Sequence, residues 1–315
     1  MPVVATPEKD AHGVAFRTIL VATDGSADAH VALDAAADLA KRSGSTLHLV
    51  TAYEAPAAVY AAPNYLGLGE LLGTLEEAAR DLLSREKVRV EGLGSSVHGL
   101  HAERGPACEA IVQIADMVDA DLIVVGSRDS GALRRIIAGS VSTQVLHRTQ
   151  RPVLIVRGGA TSWPPAHMIV GFDRSSTSRC AAQVAASIAR LYADASMELL
   201  EVVPPPSAQA IGYVSYSDDD EVEQGSLDML AKSLEDAAGH VITAAQAPGD
   251  PAAVLLARAN SQTGSSLIVV GSRGLGSVRR LLLGSVSTKL LHSGHTPLLI
   301  VPADEIASSP ANTSP

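Results

Sequence analysis

Cysteine is almost missing from the 315 residues, with only Cys108 and Cys180 present. Two thiols are too few for a disulfide framework, and they fit a reducing cytosol. Basic residues are also in short supply: 24 Lys and Arg stand against 34 Asp and Glu, a formal net charge of −10. Neither half of the chain is basic, which argues against a surface that tracks nucleic acid or an anionic membrane. A small nucleotide is not excluded, because backbone N–H groups can hold phosphate without a basic surface. No apolar run approaches the roughly 18 residues of a membrane-spanning helix. The first residues, MPVVATPEKDAHG, lack the basic, apolar and small-residue order of a secretory signal. These absences lead us to expect a soluble, cytoplasmic protein.

Hydrophobic residues make up 46% of the chain and charged residues 18%, so it is not a disordered polymer. At roughly 150 residues per domain, the length suggests two domains. The sequence also repeats itself. Residues 121–156 (DLIVVGSRDSGALRRIIAGSVSTQVLHRTQRPVLIV) align without a gap to residues 266–301 (SLIVVGSRGLGSVRRLLLGSVSTKLLHSGHTPLLIV), with 21 identities in 36 positions. Upstream, FRTILVATDGS and HMIVGFDRS share an Asp, at Asp24 and Asp173. A period this long means duplication of a whole domain rather than a solenoid. We set the domains at 14–157 and 166–302, joined by the Gly/Pro/Ser-rich linker 158–165, with loose tails at 1–13 and 303–315.

Within each half, strands alternate with helices. Short apolar β-branched runs at 18–22 and 168–171 read as first strands, and the Ala-rich segments 31–42 and 179–191 as first helices. Second strands follow at 46–52 and 197–203, and longer amphipathic helices at 71–89 and 221–238. Weak strands near 97–102 and 240–244 precede helices at 108–118 and 252–261. The runs 122–126 and 267–271 are continuously apolar, as strands buried on both faces must be. Final helices at 140–147 and 285–292 lead to last strands at 152–156 and 297–301. Such alternation gives an α/β fold: a doubly wound parallel sheet in each half, with helices on both faces. Ligands on such sheets sit outside the carboxyl ends of the strands.

At that end of the fourth strand, the second half carries Gly271-x-x-Gly274, nine residues, then Gly284-Ser285. No Walker A loop is present, and no Gly-x-Gly-x-x-Gly opens a helix. The pattern still reads as a phosphate site. Glycine lets backbone approach a ligand. Gly284-Ser285-Val286 enters a helix whose unpaired N–H groups and dipole favour an anion. The hydroxyls of Ser285 and Ser287 can add hydrogen bonds or cap the helix.

G-x-x-G, nine residues and G-S, between an LIVVGS strand and a PLLIV strand, resembles the universal stress protein domain in its ATP-binding branch. The resemblance covers both halves. It implies five parallel strands per domain in the Rossmann-like order 3-2-1-4-5. It implies adenine near the end of strand two, at Ala52 and Val202, and the adenosine part at Asp24 and Asp173. Ribose and phosphates would fall to Gly126, Gly139, Ser140, Val141 and Ser142 in the first half. In the second half they would fall to Gly271, Gly274, Gly284, Ser285, Val286 and Ser287. ATP, with Mg²⁺, is the implied ligand, and a stress- or dormancy-linked regulator the implied role. Such domains pair through the last strand, an unprotected apolar edge. The halves are therefore expected to pair within the chain, and chains to form a homodimer. One departure stands out: Asp129 replaces the second glycine of the first half, placing a carboxylate beside the expected phosphates.

Plainer readings accompany these. Asp24 and Asp173 can cap the next helix, contact a ligand, or do both. Arg134-Arg135 and Arg279-Arg280 fit a solvated helix face better than a phosphate clamp. His147 and His292 fall near a helix carboxyl end, where positive charge is favourable. The other histidines show no metal spacing. Cys108 opens a helix and reads as a small core residue. Tyr213 and Tyr216 read as part of a loop. No paired carboxylates, Ser-His-Asp elbow or HxGH pair supports an enzyme. An ATP hydrolase, an adenylyl-transferring enzyme and a ligand-free interaction module remain the alternatives.

Overall fold

The computed structural model describes residues 16–56, 67–127, 140–157, 163–203, 220–273, 283–293 and 295–302. The tails and residues 158–162 of the linker lie outside this set, as do Asp129, Arg134, Arg135, Gly139, Tyr213, Tyr216, Gly274, Arg279 and Arg280. The described residues form ten strands and eight helices. The first half runs β1 (Thr18–Ala22), α1 (Ala27–Ser43), β2 (Thr46–Tyr53), α2 (Leu68–Gly92), β3 (Val97–Arg104), α3 (Ala107–Met117), β4 (Leu122–Gly126), α4 (Ser140–Arg148) and β5 (Val153–Val156). The second runs β6 (His167–Phe172), α5 (Ser176–Ala189), β7 (Ser196–Val203), α6 (Asp220–Ala238), β8 (Ile242–Pro248), α7 (Pro251–Asn260), β9 (Ser266–Gly271), α8 (Ser285–Ser293) and β10 (Leu298–Val301).

Each half has the order 3-2-1-4-5 with parallel neighbours, and the two join into one sheet, β3-β2-β1-β4-β5-β10-β9-β6-β7-β8. The join is the antiparallel pair β5–β10, with Leu154 opposite Leu299. Those two leucines occupy equivalent positions of the repeat, so a pseudo-twofold axis passes between them. All eight residues of the two seam strands are buried. The apolar edge expected to invite pairing is thus used inside the chain.

Alternation along the strands divides the core into two layers. Ile19, Val21, Leu122, Val124, Leu154 and Val156 face the layer under α1 and α2, which continues beneath α5 and α6. Leu20, Ile123, Val125, Val153 and Ile155 face the layer under α3, α4, α7 and α8. In α1 the buried residues are Ala29, Ala32, Leu33, Ala35, Ala36, Ala37, Leu39 and Ala40, and the small ones let its neighbours lie close. Cys108 is 2% exposed in α3, the core role read from sequence.

Both first helices start earlier than their apolar spacing suggests, at Ala27 and Ser176, because Ser26 and Ser175 cap them. The Ser26 hydroxyl accepts from Ala29 N at 3.2 Å, and the Ser175 hydroxyl from Ser178 N at 3.1 Å. Capping by Asp24 and Asp173 is thereby corrected. Each aspartate instead accepts from the serine amide two residues on, at 3.0 and 3.1 Å. This Asx-turn holds the chain for a cap it does not itself provide.

The halves also meet above the sheet. Asp38 of α1 accepts from Trp163 Nε1 at 3.0 Å, from the Tyr192 hydroxyl at 2.7 Å and from Arg42 Nε at 2.8 Å. Arg42 lies over the Tyr192 ring, 4.7 Å from its centroid. Trp163, at the end of the linker, packs edge-on to Tyr192 at 6.0 Å.

Candidate functional site

Strands β6, β7 and β9 end side by side, and α8 begins beside them. Between them opens a cleft of about 430 Å³, within the usual range for small-molecule sites. Of the residues proposed from sequence for the second half, seven line it: Asp173, Val202, Gly271, Gly284, Ser285, Val286 and Ser287. They come from four separate stretches of chain that only the parallel sheet brings together. Apolar Leu200, Val202, Leu255 and Val270 form one wall. Polar Ser285 and Ser287 line it from α8, and Asp173 and Ser178 from the turn after β6 and from α5.

The turn into α8 is pinned to the end of β9. Ser272 N donates to Val301 O at 2.7 Å, and Ser272 O accepts from Gly284 N at 2.7 Å and from the Ser287 hydroxyl at 3.1 Å. The first intrahelical bond runs from Thr288 N to Gly284 O. The N–H groups of Ser285, Val286 and Ser287 therefore precede the first helical bond and face no helical carbonyl. Two points of the sequence reading change. Gly284 N–H is committed to Ser272 rather than free for an anion. The Ser287 hydroxyl, in a residue 2% exposed, also bonds within the turn. Exposed Ser285 keeps the accessible side chain.

The glycines that end β4 and β9 also have a packing reason. A Cβ at Gly271 would lie 2.7 Å from Thr177 Cγ2, and one at Gly126 would lie 2.7 Å from Asp28 O. A close approach at both positions is made by the first turn of α5 or α1. Nonetheless Gly271 backbone lines the cleft.

Arg273, Ser178 and Pro251 also line the cleft and escaped the sequence reading. Arg273 follows Gly271 in the repeated GSR triplet, which was the available signal. At the cleft rim, Asp250 caps α7 through Ala253 N at 3.1 Å and pairs with Lys289 of α8 at 2.6 Å. The Lys289 ammonium, with the Ala253 amide, holds the Asp250 carboxyl below its usual range.

In the first half, Asp24, Ala52 and Gly126 stand at the carboxyl ends of β1, β2 and β4, and Ser140, Val141 and Ser142 open α4. Asp24 is exposed, Ala52 and Val141 are half-buried, and Ser142 is buried. Gly139 and Asp129, between β4 and α4, lie outside the described residues. The halves differ beside the Asx-turn. Gly25 has φ +73°, and Arg174 at the equivalent place has φ +66°. Arg174 makes a bidentate pair with buried Glu201, at 2.5 and 2.9 Å, and Gln246 donates to the same carboxylate at 2.9 Å. Thr51 and Ala102 take the places of Glu201 and Gln246 in the first half, as the ladder registers show.

The fold and site define a class: a tandem of doubly wound α/β domains, each with a helix amino terminus beside the carboxyl ends of its strands. The chain matches the Universal stress protein family twice, over residues 15–157 and 166–302, and it belongs to that family. It is similar to a universal stress protein of Mycolicibacterium smegmatis, 29% identical over 90% of this chain and 96% of that one. A universal stress protein of Thermus aquaticus is 39% identical over 45% of this chain and 99% of its own length. Among solved structures, a universal stress protein from Archaeoglobus fulgidus superposes with a TM-score of 0.69. It covers 91% of this chain and 98% of its own at 20% identity, a likeness of fold.

Proposed function

We propose that the protein is an ATP-binding regulator of stress response or dormancy, acting in the cytoplasm, with nucleotide and Mg²⁺ held in the second-half cleft. The observation that carries this reading is the convergence of seven of the expected residues, from four stretches of chain, on one cleft that ends at a helix amino terminus. In this reading adenine lies against Val202 and Leu200, Asp173 takes the ribose side, and phosphates meet the first N–H groups of α8. Arg273 adds a cation on the phosphate side. Asp129 makes the first half the weaker site, through repulsion of roughly 3–4 kcal/mol per unit charge at 4–6 Å before screening.

The test is mass spectrometry of the purified protein after denaturation, followed by calorimetry with Mg-ATP. Carried ATP, or one strong site per chain, is the expected result. Absence of both rejects the reading. Asp129→Gly should raise affinity at a second site.

The alternative of slow hydrolysis requires an oriented water and charge stabilisation as well as binding. A phosphate-release assay with Mg²⁺ separates the two. As for assembly, β5 and β10 are internal to the sheet. We infer that a homodimer uses another face; among the described residues β3 and β8 are the edge strands of the sheet.

A further inference from the structure

Three histidines that the sequence separates lie together on the first-half sheet, away from the cleft. His48 is on β2; His98 and His101 are on edge strand β3. His48 shares a face with Val50, and Val50 pairs with His101 across the ladder. The β2–β3 register shifts at this point, from Leu47 opposite Val97 to His48 opposite Gly99, which leaves His98 as the extra residue of a bulge. The shift puts His101 on the same face as His48, where the two rings stack at 5.4 Å; the His98 ring lies 5.5 Å from that of His48.

The nearest nitrogens are His48 Nδ1 and His101 Nε2, 3.1 Å apart. A metal ion with two imidazole ligands at about 2.0–2.1 Å, in square-planar to tetrahedral geometry, sets its nitrogens about 2.9–3.4 Å apart. The observed spacing falls inside that bite. Gly99 keeps the space open: a Cβ there would overlap His48 Nδ1 and lie 2.8 Å from His101 Nε2. Any other residue would wedge the pair apart.

We propose that His48 and His101 form a two-imidazole site for a borderline divalent transition-metal ion such as Zn²⁺, Ni²⁺ or Cu²⁺, its remaining positions open to water. Imidazole nitrogen suits these ions, whereas Mg²⁺ and Ca²⁺ prefer oxygen. The charge balance is simple. In the metal-free pair one facing nitrogen carries the shared proton and the other accepts it. Binding moves that proton, through solvent, to the far nitrogen of the same ring, so two neutral rings bind the ion with no net proton release. Burial pushes both imidazoles below their ordinary range, helped at His48 by repulsion from His101 and His98 and opposed at His101 by Glu103. Among the described residues no three such side chains converge as a preformed centre. The site is therefore a two-ligand staple between β2 and the edge strand, of moderate affinity.

The chain has ten histidines, so metal uptake alone decides nothing. The test is calorimetric titration of the chelator-treated full chain with Zn²⁺, in wild type, His48→Ala, His101→Ala and Gly99→Ala. One saturable site is expected in wild type, weakened at least tenfold in every variant. Zn²⁺ titration of wild type followed by imidazole ¹⁵N resonances avoids any folding defect of a variant. The two most perturbed rings should be His48 and His101. No saturable wild-type site, wild-type affinity retained in both histidine variants, or perturbation confined to other rings would overturn the proposal.

Discussion

Replacing Ser285 by glutamate separates the phosphate-binding role of α8 from its stability. Ser285 is the first residue of the helix, exposed and on the cleft wall. An acidic side chain in the first turn interacts favourably with the helix dipole, by about 0.3–1 kcal/mol. Folding should therefore be unchanged or slightly improved. The same charge meets ATP phosphates at about 4–6 Å, where repulsion at an effective dielectric near 20 is roughly 3–4 kcal/mol per unit charge. Salt and Mg²⁺ screen part of it. Half that value still weakens binding by more than about tenfold. Ser285 serves better than Gly284, where a Cβ would already sit 3.3 Å from Ser272 O and strain the turn. The assay pairs Mg-ATP calorimetry at fixed ionic strength with a thermal melt. Ser285→Ala is the uncharged control. A stable Ser285→Glu protein that binds ATP as tightly as wild type would refute placement of the phosphates at α8.

Other outcomes follow from contacts elsewhere. Asp38→Ala removes the acceptor of Trp163 and Tyr192 and should lower stability by about 2–3 kcal/mol, read by denaturation followed through the emission of Trp163, the only tryptophan. Burial first, then the bond to Asp38, pushes the Tyr192 phenol well above its ordinary range. Stability from this group is present below about pH 10 and falls as pH rises beyond it, because only the unfolded chain releases the proton; Tyr192→Phe should flatten that decline. Arg174→Gly relieves a left-handed backbone worth on the order of 1 kcal/mol but leaves the buried Glu201 carboxylate without its charge partner, though still bonded to Gln246, a loss of about 3 kcal/mol. Adding Glu201→Thr, as in the first half, should restore most of the difference in chemical denaturation. Burial pushes the Cys108 thiol up, so thiol reagents should reach it only after unfolding.

Sequence carried the fold well where burial is continuous. The runs 122–126 and 18–22 are strands with those same limits, because only a strand covered on both faces is apolar throughout. Helix starts were harder to read. Ser26 and Ser175 cap through side chains, and nearby aspartates of similar chemistry masked them. In the second-half site, the local motif marked Gly271 and residues 284–287, since a strand end and a helix start are adjacent in any doubly wound sheet, and the family resemblance added Asp173 and Val202. What escaped depends on long-range geometry. Asp38 and Trp163 are 125 positions apart. His48 and His101 meet only because β3 bulges. Arg174 and Glu201 look like ordinary surface charges until β6 and β7 are laid side by side.

The seam between β5 and β10 has a further consequence. Two four-residue strands would make a weak association between separate molecules. Joined by one chain, they face each other at an effective concentration on the order of millimolar, so dilution cannot part them. The tether also releases the two halves from identical evolution. In a symmetric pair of separate copies, every substitution strikes both sides at once. Here one half can carry Asp129 while the other keeps Gly274, and one can hold Gly25 where the other has acquired Arg174 with its buried partner. The tether lets one molecule hold two halves that have diverged at these positions.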